Sequence, residues 1–146
     1  MRESDVTASN KETVLRFIAA MDKGDAEEGA ACLDPSAVTV AKGFGRLSGV
    51  RTYDTIVGTL GAFRELLPEG MNPVIHSVTA EDDRVAVEFE GNGVLVNGTP
   101  YCNQYCMVFT LKDGRIVHVN EYYCTILADA AIGPLLEARA DALPWD

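Results

Sequence analysis

Basic residues are scarce in this chain, and so are the side chains that most often mark an active site. Twelve Lys and Arg stand against 22 Asp and Glu, a formal net charge of −10. Such a surface excludes nucleic acid as the expected partner, because phosphate binding releases counterions only to a basic face. Anionic membranes are disfavoured for the same reason. A small substrate stays open, since the field inside a cleft can oppose the global charge. Long apolar runs are also missing. No stretch approaches the roughly 20 residues that span a bilayer. The opening residues, MRESDVTASNKE, are polar throughout. No secretory leader is expected there, and the cytoplasm is the expected compartment. Only two histidines, one tryptophan and four cysteines occur. In a reducing compartment Cys32, Cys102, Cys106 and Cys124 are expected to be free thiols. No internal repeat or low-complexity segment is present.

What is present suits one globular unit. A chain of 146 residues that is 47% hydrophobic can bury a core of ordinary size, and residues 1–146 are expected to form a single domain. Residues 1–9 are expected to be a flexible N-terminus. Val14, Leu15, Phe17, Ile18 and Met21 recur at helical spacing, which predicts a helix over residues 10–22. SNKE (Ser9 to Glu12) has the pattern of a capping box at its start. Asp25 is placed to cap a short second helix, AEEGAACL. SAVTVAKG reads as a strand, and residues 49–68 as a third helix ended by Pro68 and Gly70.

After residue 73 the period changes. VIHSVTA, RVAVEFEG, YCNQYCMVFTL and RIVHVNEYYCTI alternate as strands do. EDDR and KDGR connect them, and Asp113-Gly114 is a strong hairpin signal. The tail from residue 128 to 146 is helix-prone, though interrupted at Gly133-Pro134. Helices followed by antiparallel strands predict an α+β fold in which a curved sheet wraps around about three N-terminal helices.

Counting back from the Asp113-Gly114 turn gives a register. Phe109 would face His118, Met107 Asn120, Tyr105 Tyr122 and Asn103 Cys124, so these residues would share one face with Tyr101. Val117, Val119, Glu121 and Tyr123 would lie on the other, with Cys102, Gln104 and Cys106. A bulge would slip this register by one and exchange the faces. The same counting from EDDR puts His76 on a face with Val78, Val87 and Phe89. Both faces of the last hairpin carry apolar groups. One is expected to cover the helices and enclose a pocket, the other to meet a second subunit.

The order of elements, with FIAAMDKGDAEEGAACLD, GFGRLSG, DDRVAVEFEGNG, YCNQYCMVFTLKDGRI and EYYCT, resembles the nuclear transport factor two-like superfamily over residues 10–130. The similarity is strongest to its SnoaL-like polyketide cyclase and ketosteroid isomerase-related branch. The resemblance implies a cone-shaped α+β fold, a deep apolar pocket and a homodimer formed through the outer sheet face.

The family's catalytic sets fit unequally. Where ketosteroid isomerases place an oxyanion-hole tyrosine and a carboxylate base, this chain has Phe17 and Lys42. A proton abstraction beside a ketone needs both groups, so that version of the site is not intact. Where related epoxide hydrolases place an acid/base Asp in the last strand, this chain has Cys124. Their Arg-x-Asp pair corresponds to Asn103 and Tyr105. A third set, that of scytalone dehydratases and related dehydrochlorinases, corresponds to Asp22 and His76. A carboxylate that orients an imidazole supports proton removal while a group leaves.

The resulting expectation is a cofactor-independent lyase or isomerase acting on an apolar small molecule. Asp22 and His76 are the expected catalytic pair. Phe17, Tyr53, Asn103, Tyr105, Asn120, Tyr122 and Cys124 are expected around the substrate. No metal or cofactor is expected. Cys102 and Cys106 would lie about 13 Å apart on a strand, too far for one ion or a disulfide. Cys124 as a nucleophile would need a nearby base, and His118 would lie about 20 Å away along the strand; a buried, inert thiol is the expectation. The alternatives are a non-catalytic small-molecule carrier with a degenerate site, and a purely structural dimer. Asp22 as a turn cap and His76 as an ordinary wall residue are the bland readings of that pair.

Overall fold

The computed structural model describes residues 2–138. Helix α1 runs over Glu3–Lys23 and buries Val14, Phe17, Ile18 and Met21, the apolar face its spacing predicts. It starts earlier than expected, so residues 3–9 are helical. No Gly or Pro interrupts that stretch, and Asp5 in the first turn suits the helix dipole. The SNKE motif therefore lies inside the helix, where the Ser9 carbonyl accepts from Thr13 Oγ1 at 3.2 Å.

Gly24 closes α1 with φ of 65°, a conformation open to glycine at little cost. Its N–H bonds Met21 O at 3.2 Å, and the Asp25 N–H bonds Ala20 O at 2.9 Å. These two bonds form a Schellman cap. Asp25 then caps α2 (Ala26–Cys32), accepting from the Glu28 N–H at 3.0 Å, as its residue type predicts.

Strand β1 spans Leu33–Ala41, and β2 spans Gly49–Thr52. The segment Val50-Arg51-Thr52 pairs with β1 and is not the first turn of a helix. Helix α3 covers Tyr53–Leu66. Four further strands follow: β3 (Val74–Glu81), β4 (Arg84–Val94), β5 (Pro100–Lys112) and β6 (Arg115–Tyr123). Helix α4 (Thr125–Ala138) continues through Pro134. It begins ahead of the expected tail, of which residues 139–146 lie outside the described residues.

The six strands form one sheet in the order β2-β1-β6-β5-β4-β3. Only β1 and β6 pair in parallel. The result is a curved, unclosed, mostly antiparallel α+β sheet against the helices, as the sequence predicts. Val85, Val87, Phe89, Met107, Phe109 and Val119 are buried on its inner face. Phe17 meets Phe109 edge-on, with ring centroids 6.1 Å apart at 76°, a preferred aromatic geometry.

Two bulges decide which side chains reach that inner face. At the β5–β6 turn, Asp113 and Gly114 both have positive φ, 52° and 78°, as a type I′ hairpin requires. Lys112 pairs with Arg115 and Leu111 with Ile116, as predicted, but Thr110 then pairs with His118. Val117 is the extra residue. From there on the partners are Phe109 with Val119, Met107 with Glu121, and Tyr105 with Tyr123. The second bulge is in β3, where Ile75 pairs with Phe89 and Ser77 with Glu88. His76 is the extra residue there.

Candidate active site

Between the helices and the inner sheet face lies a cavity of about 110 Å³. Phe17 and Met21 of α1, Leu60 and Leu66 of α3, Met107 of β5 and Ile132 of α4 make much of its wall. Helix α4 is held over this end by the loop after β1. The Arg46 N–H donates to Asp129 Oδ1 at 2.9 Å, and Arg46 Nη1 meets Glu137 Oε1 at 3.2 Å.

Glu121 brings a carboxylate into this apolar wall. It stands opposite Met107 on β5 and Ala41 on β1. Burial raises its pKa above the ordinary carboxylate value, and the positive field of Arg51 opposes that rise. No side-chain hydrogen bond or ion pair to Glu121 is formed among the described residues. A carboxylate so placed is a stronger base than one in water.

Arg51 lines the same cavity from β2, opposite Thr39. One arm is fixed, as Nη2 donates to Leu47 O at 2.7 Å. Its Nε is buried and has no acceptor among the described residues.

Three tyrosines complete the polar fringe. Tyr105 stacks on Phe89 with centroids 4.9 Å apart, and its hydroxyl donates to Tyr101 Oη at 3.4 Å. Burial, foremost, raises the Tyr105 phenol well above its usual range. Burial and the nearby Glu121 raise Tyr123 to about 12. Both are therefore neutral hydroxyl groups at physiological pH, the Tyr105 hydrogen being directed at Tyr101.

The expected site residues divide sharply. Phe17 and Tyr105 line the cavity, and Asp22 reaches its edge. The Asp22 carboxylate, however, is engaged by backbone: Oδ1 accepts from the Met71 and Asn72 N–H groups at 2.9 and 2.8 Å. Gly70 lets that turn come close, since a Cβ there would lie 2.6 Å from Asp22 Oδ1. His76 does not join Asp22. The bulge turns it outward, where Nε2 lies 3.3 Å from Glu90 Oε1 with 53% of the side chain exposed. The expected Asp22–His76 pair is not formed.

For Asn120, Tyr122 and Cys124 the correction has one cause, the slip at Val117. Asn120 and Tyr122 lie on the outer face, where Asn120 Oδ1 meets His118 Nε2 at 2.9 Å and Tyr122 is 46% exposed. Cys124 is exposed just past the end of β6 and is not a buried wall residue. Asn103 is buried beside Cys124, but it binds backbone there. Its Nδ2 donates to Cys124 O at 3.1 Å and to Tyr101 Oη at 2.9 Å, and Oδ1 accepts from the Cys124 N–H at 3.3 Å. Tyr53 packs against the core and is not part of the cavity wall. Among the described residues no cluster of His, Cys, Asp or Glu is arranged to hold a metal ion. No described helix is long and apolar enough to cross a membrane.

The sequence profile of the SnoaL-like domain family matches residues 14–119. The chain belongs to the SnoaL-like family. Solved structures share the fold at low identity. A putative isomerase from Bacillus subtilis is 24% identical, covers 91% of this chain and 96% of its own, and superposes with a TM-score of 0.71. An LEH-like epoxide hydrolase of M. tuberculosis is 20% identical over 92% and 98% of the two chains, with a TM-score of 0.72. A hypothetical protein with a ketosteroid isomerase-like fold from Catenulispora acidiphila, solved with trimethylamine, is 17% identical over 84% and 92%, with a TM-score of 0.71. No curated protein matches.

Two polar groups of this SnoaL-like domain escape a reading by period alone. Glu121 is assigned to the outer face by unbroken alternation, and Arg51 to a helix. The signal for Arg51 was local. Thr52 is a good N-cap type, and the β-prone Val-Arg-Thr before it is better suited to a strand than to a first turn.

Proposed function

We propose that this SnoaL-like protein is a proton-transfer enzyme, an isomerase or lyase, acting on a small and mostly apolar molecule. Glu121 is the base. The observation that carries this reading is a carboxylate without a hydrogen-bond partner in an apolar cavity, in the field of an arginine with which it forms no salt bridge. Such an arrangement resembles the poised acid/base groups of enzymes more than a structural ion pair. Glu121 takes a proton from substrate carbon, and the electron pair left behind moves onto a neighbouring acceptor atom. The proton then returns to another carbon, giving isomerisation, or a leaving group departs, giving elimination. The neutral hydroxyl of Tyr123 supplies a hydrogen bond to developing negative charge.

The cavity volume limits the substrate. A cavity of about 150 Å³ accommodates benzene, so this one, at about 110 Å³, suits a molecule smaller than a six-membered ring. Asp22 and His76 have no part in the step. The test is exchange of solvent deuterium into small carbon acids, followed by NMR in D2O. Wild-type exchange should be abolished in Glu121→Gln and retained in His76→Ala. Undiminished exchange in Glu121→Gln sinks the proposal.

A carrier is the second reading. The engagement of Asp22 with backbone favours it, because that removes one of the two cavity carboxylates from chemistry. An apolar ligand that copurifies with the protein and is returned unchanged would support it.

A further inference from the structure

The volume of about 110 Å³ belongs to the cavity with its side chains at rest, and the composition of the wall bears on how fixed that volume is. The chain has four methionines. All three beyond Met1 line this cavity: Met21, Met71 and Met107. Each is buried, at 5, 9 and 3% exposure. The core away from the cavity is filled instead by branched and aromatic side chains such as Val85, Val87, Phe109 and Ile116. β-Branched side chains are stiff and hold few rotamers. Methionine is unbranched, turns about three bonds and carries a polarisable thioether, so it re-packs where they cannot.

The three methionines enter from different elements: α1, the turn before β3, and β5. Their backbones are fixed. The Met71 N–H donates to Asp22 Oδ1 at 2.9 Å, and the Met71 carbonyl accepts from the Asn92 N–H at 2.6 Å. Met107 pairs with Val87 on one side and Glu121 on the other. Only the side chains are left to move. Gly91 keeps one of them uncrowded, since even a Cβ there would lie 3.4 Å from Met71 Cε.

We infer that Met21, Met71 and Met107 make the cavity elastic: it opens by side-chain rotation to take flat aromatic molecules of one or two rings that its resting volume excludes. Flat rings are the favoured class because a thioether sulfur packs well against a ring edge. Methionine-rich surfaces are also those that re-pack around ligands of different shape. The sheet register and the helix positions stay as they are. The elasticity serves catalysis or carriage equally, and so stands apart from the role of Glu121.

The test compares two apolar probes. Xenon, a single atom, fits a small dry cavity; naphthalene exceeds the resting volume. Wild type should bind both, and naphthalene should displace xenon. In protein labelled at the methionine methyl groups, naphthalene should shift the NMR signals of Met21, Met71 and Met107. The comparison is the triple variant Met21→Leu, Met71→Leu and Met107→Leu, which nearly conserves side-chain volume. It should keep its xenon affinity and lose naphthalene affinity about tenfold or more, the scale of over-packing a stiff site. Wild type that refuses naphthalene overturns the inference, as does a triple variant that binds naphthalene like wild type. Bound naphthalene that leaves the three methyl signals in place, or that does not displace xenon, overturns it too. Should the variant not fold, or lose xenon as well, the wild-type displacement and methyl signals decide the matter.

Discussion

Glu121 stands directly across the β5–β6 ladder from Met107, a carboxylate opposite a buried thioether. That pairing sets a pH dependence whose sign can be worked out. The folded pKa of Glu121 is raised by burial, so the folded state holds its proton more tightly than the unfolded state does. The penalty is absent below the ordinary carboxylate pKa. It grows as pH climbs through the raised value and is fully present above it. Glu121→Gln should therefore stabilise the protein at neutral pH and flatten this part of the stability curve. Urea denaturation from pH 4 to pH 8 checks it. A variant less stable than wild type at pH 8 would contradict the assignment.

In the proposed reaction the same residue governs rate. Proton-transfer activity should rise with pH on a limb displaced above the ordinary carboxylate range, because only the ionised form is a base. Loss of the base should cost ~10²–10⁴-fold in kcat/KM. A pH–rate profile for wild type and Glu121→Gln measures both effects.

Asp22 should behave as a structural residue. Its Oδ1 ties the end of α1 to the turn before β3 through two backbone N–H groups. Asp22→Ala leaves those donors without their acceptor and should cost about 2 kcal/mol. Asp22→Asn keeps an oxygen in place and should cost less than half of that. A thermal melt gives the stabilities. Turnover of folded Asp22→Asn should stay within about threefold of wild type, well short of the loss expected for a base.

His76→Ala should be nearly silent. The imidazole is more than half exposed and its ion-pair partner is Glu90, also at the surface. Exposed pairs of this kind contribute less than about 1 kcal/mol. Stability and activity should both remain close to wild type.

Deleting Val117 should be mild. Ile116 stays opposite Leu111 and His118 opposite Thr110, so the ladder closes without a bulge and Val119 and Glu121 keep the inner face. Inserting one residue between His118 and Val119 should be severe. It turns Glu121 outward and aims Asn120 and Tyr122 at the cavity. Val119, which is 1% exposed, would move to the surface at a cost of roughly 1.5–3 kcal/mol. A cooperative melt of the insertion variant near that of wild type would show that the register does not fix the facing.

These cases mark how far the sequence could be read. The helical face of α1, the Asp25 cap, the Asp113-Gly114 turn and the α+β layout follow from spacing and turn chemistry, which act locally. The candidate site does not. The expected partners of His76 and Cys124 rest on unbroken alternation, and one inserted residue in each strand breaks it. A bulge leaves little compositional trace, because Val117 suits a strand in either position. Asp22 is expected from the family resemblance as the carboxylate partner of His76, but the Met71 and Asn72 donors that engage it lie on a remote segment, 49 and 50 residues on.

The bulge at Val117 also makes the last strand a two-sided text. Glu121 and Tyr123 form one message, and His118, Asn120 and Tyr122 form another. A single residue inserted after the bulge, between His118 and Val119, exchanges which of them the cavity receives, with the turn unchanged. A lineage built on this scaffold thus has a route to new chemistry that substitutes no cavity residue at all.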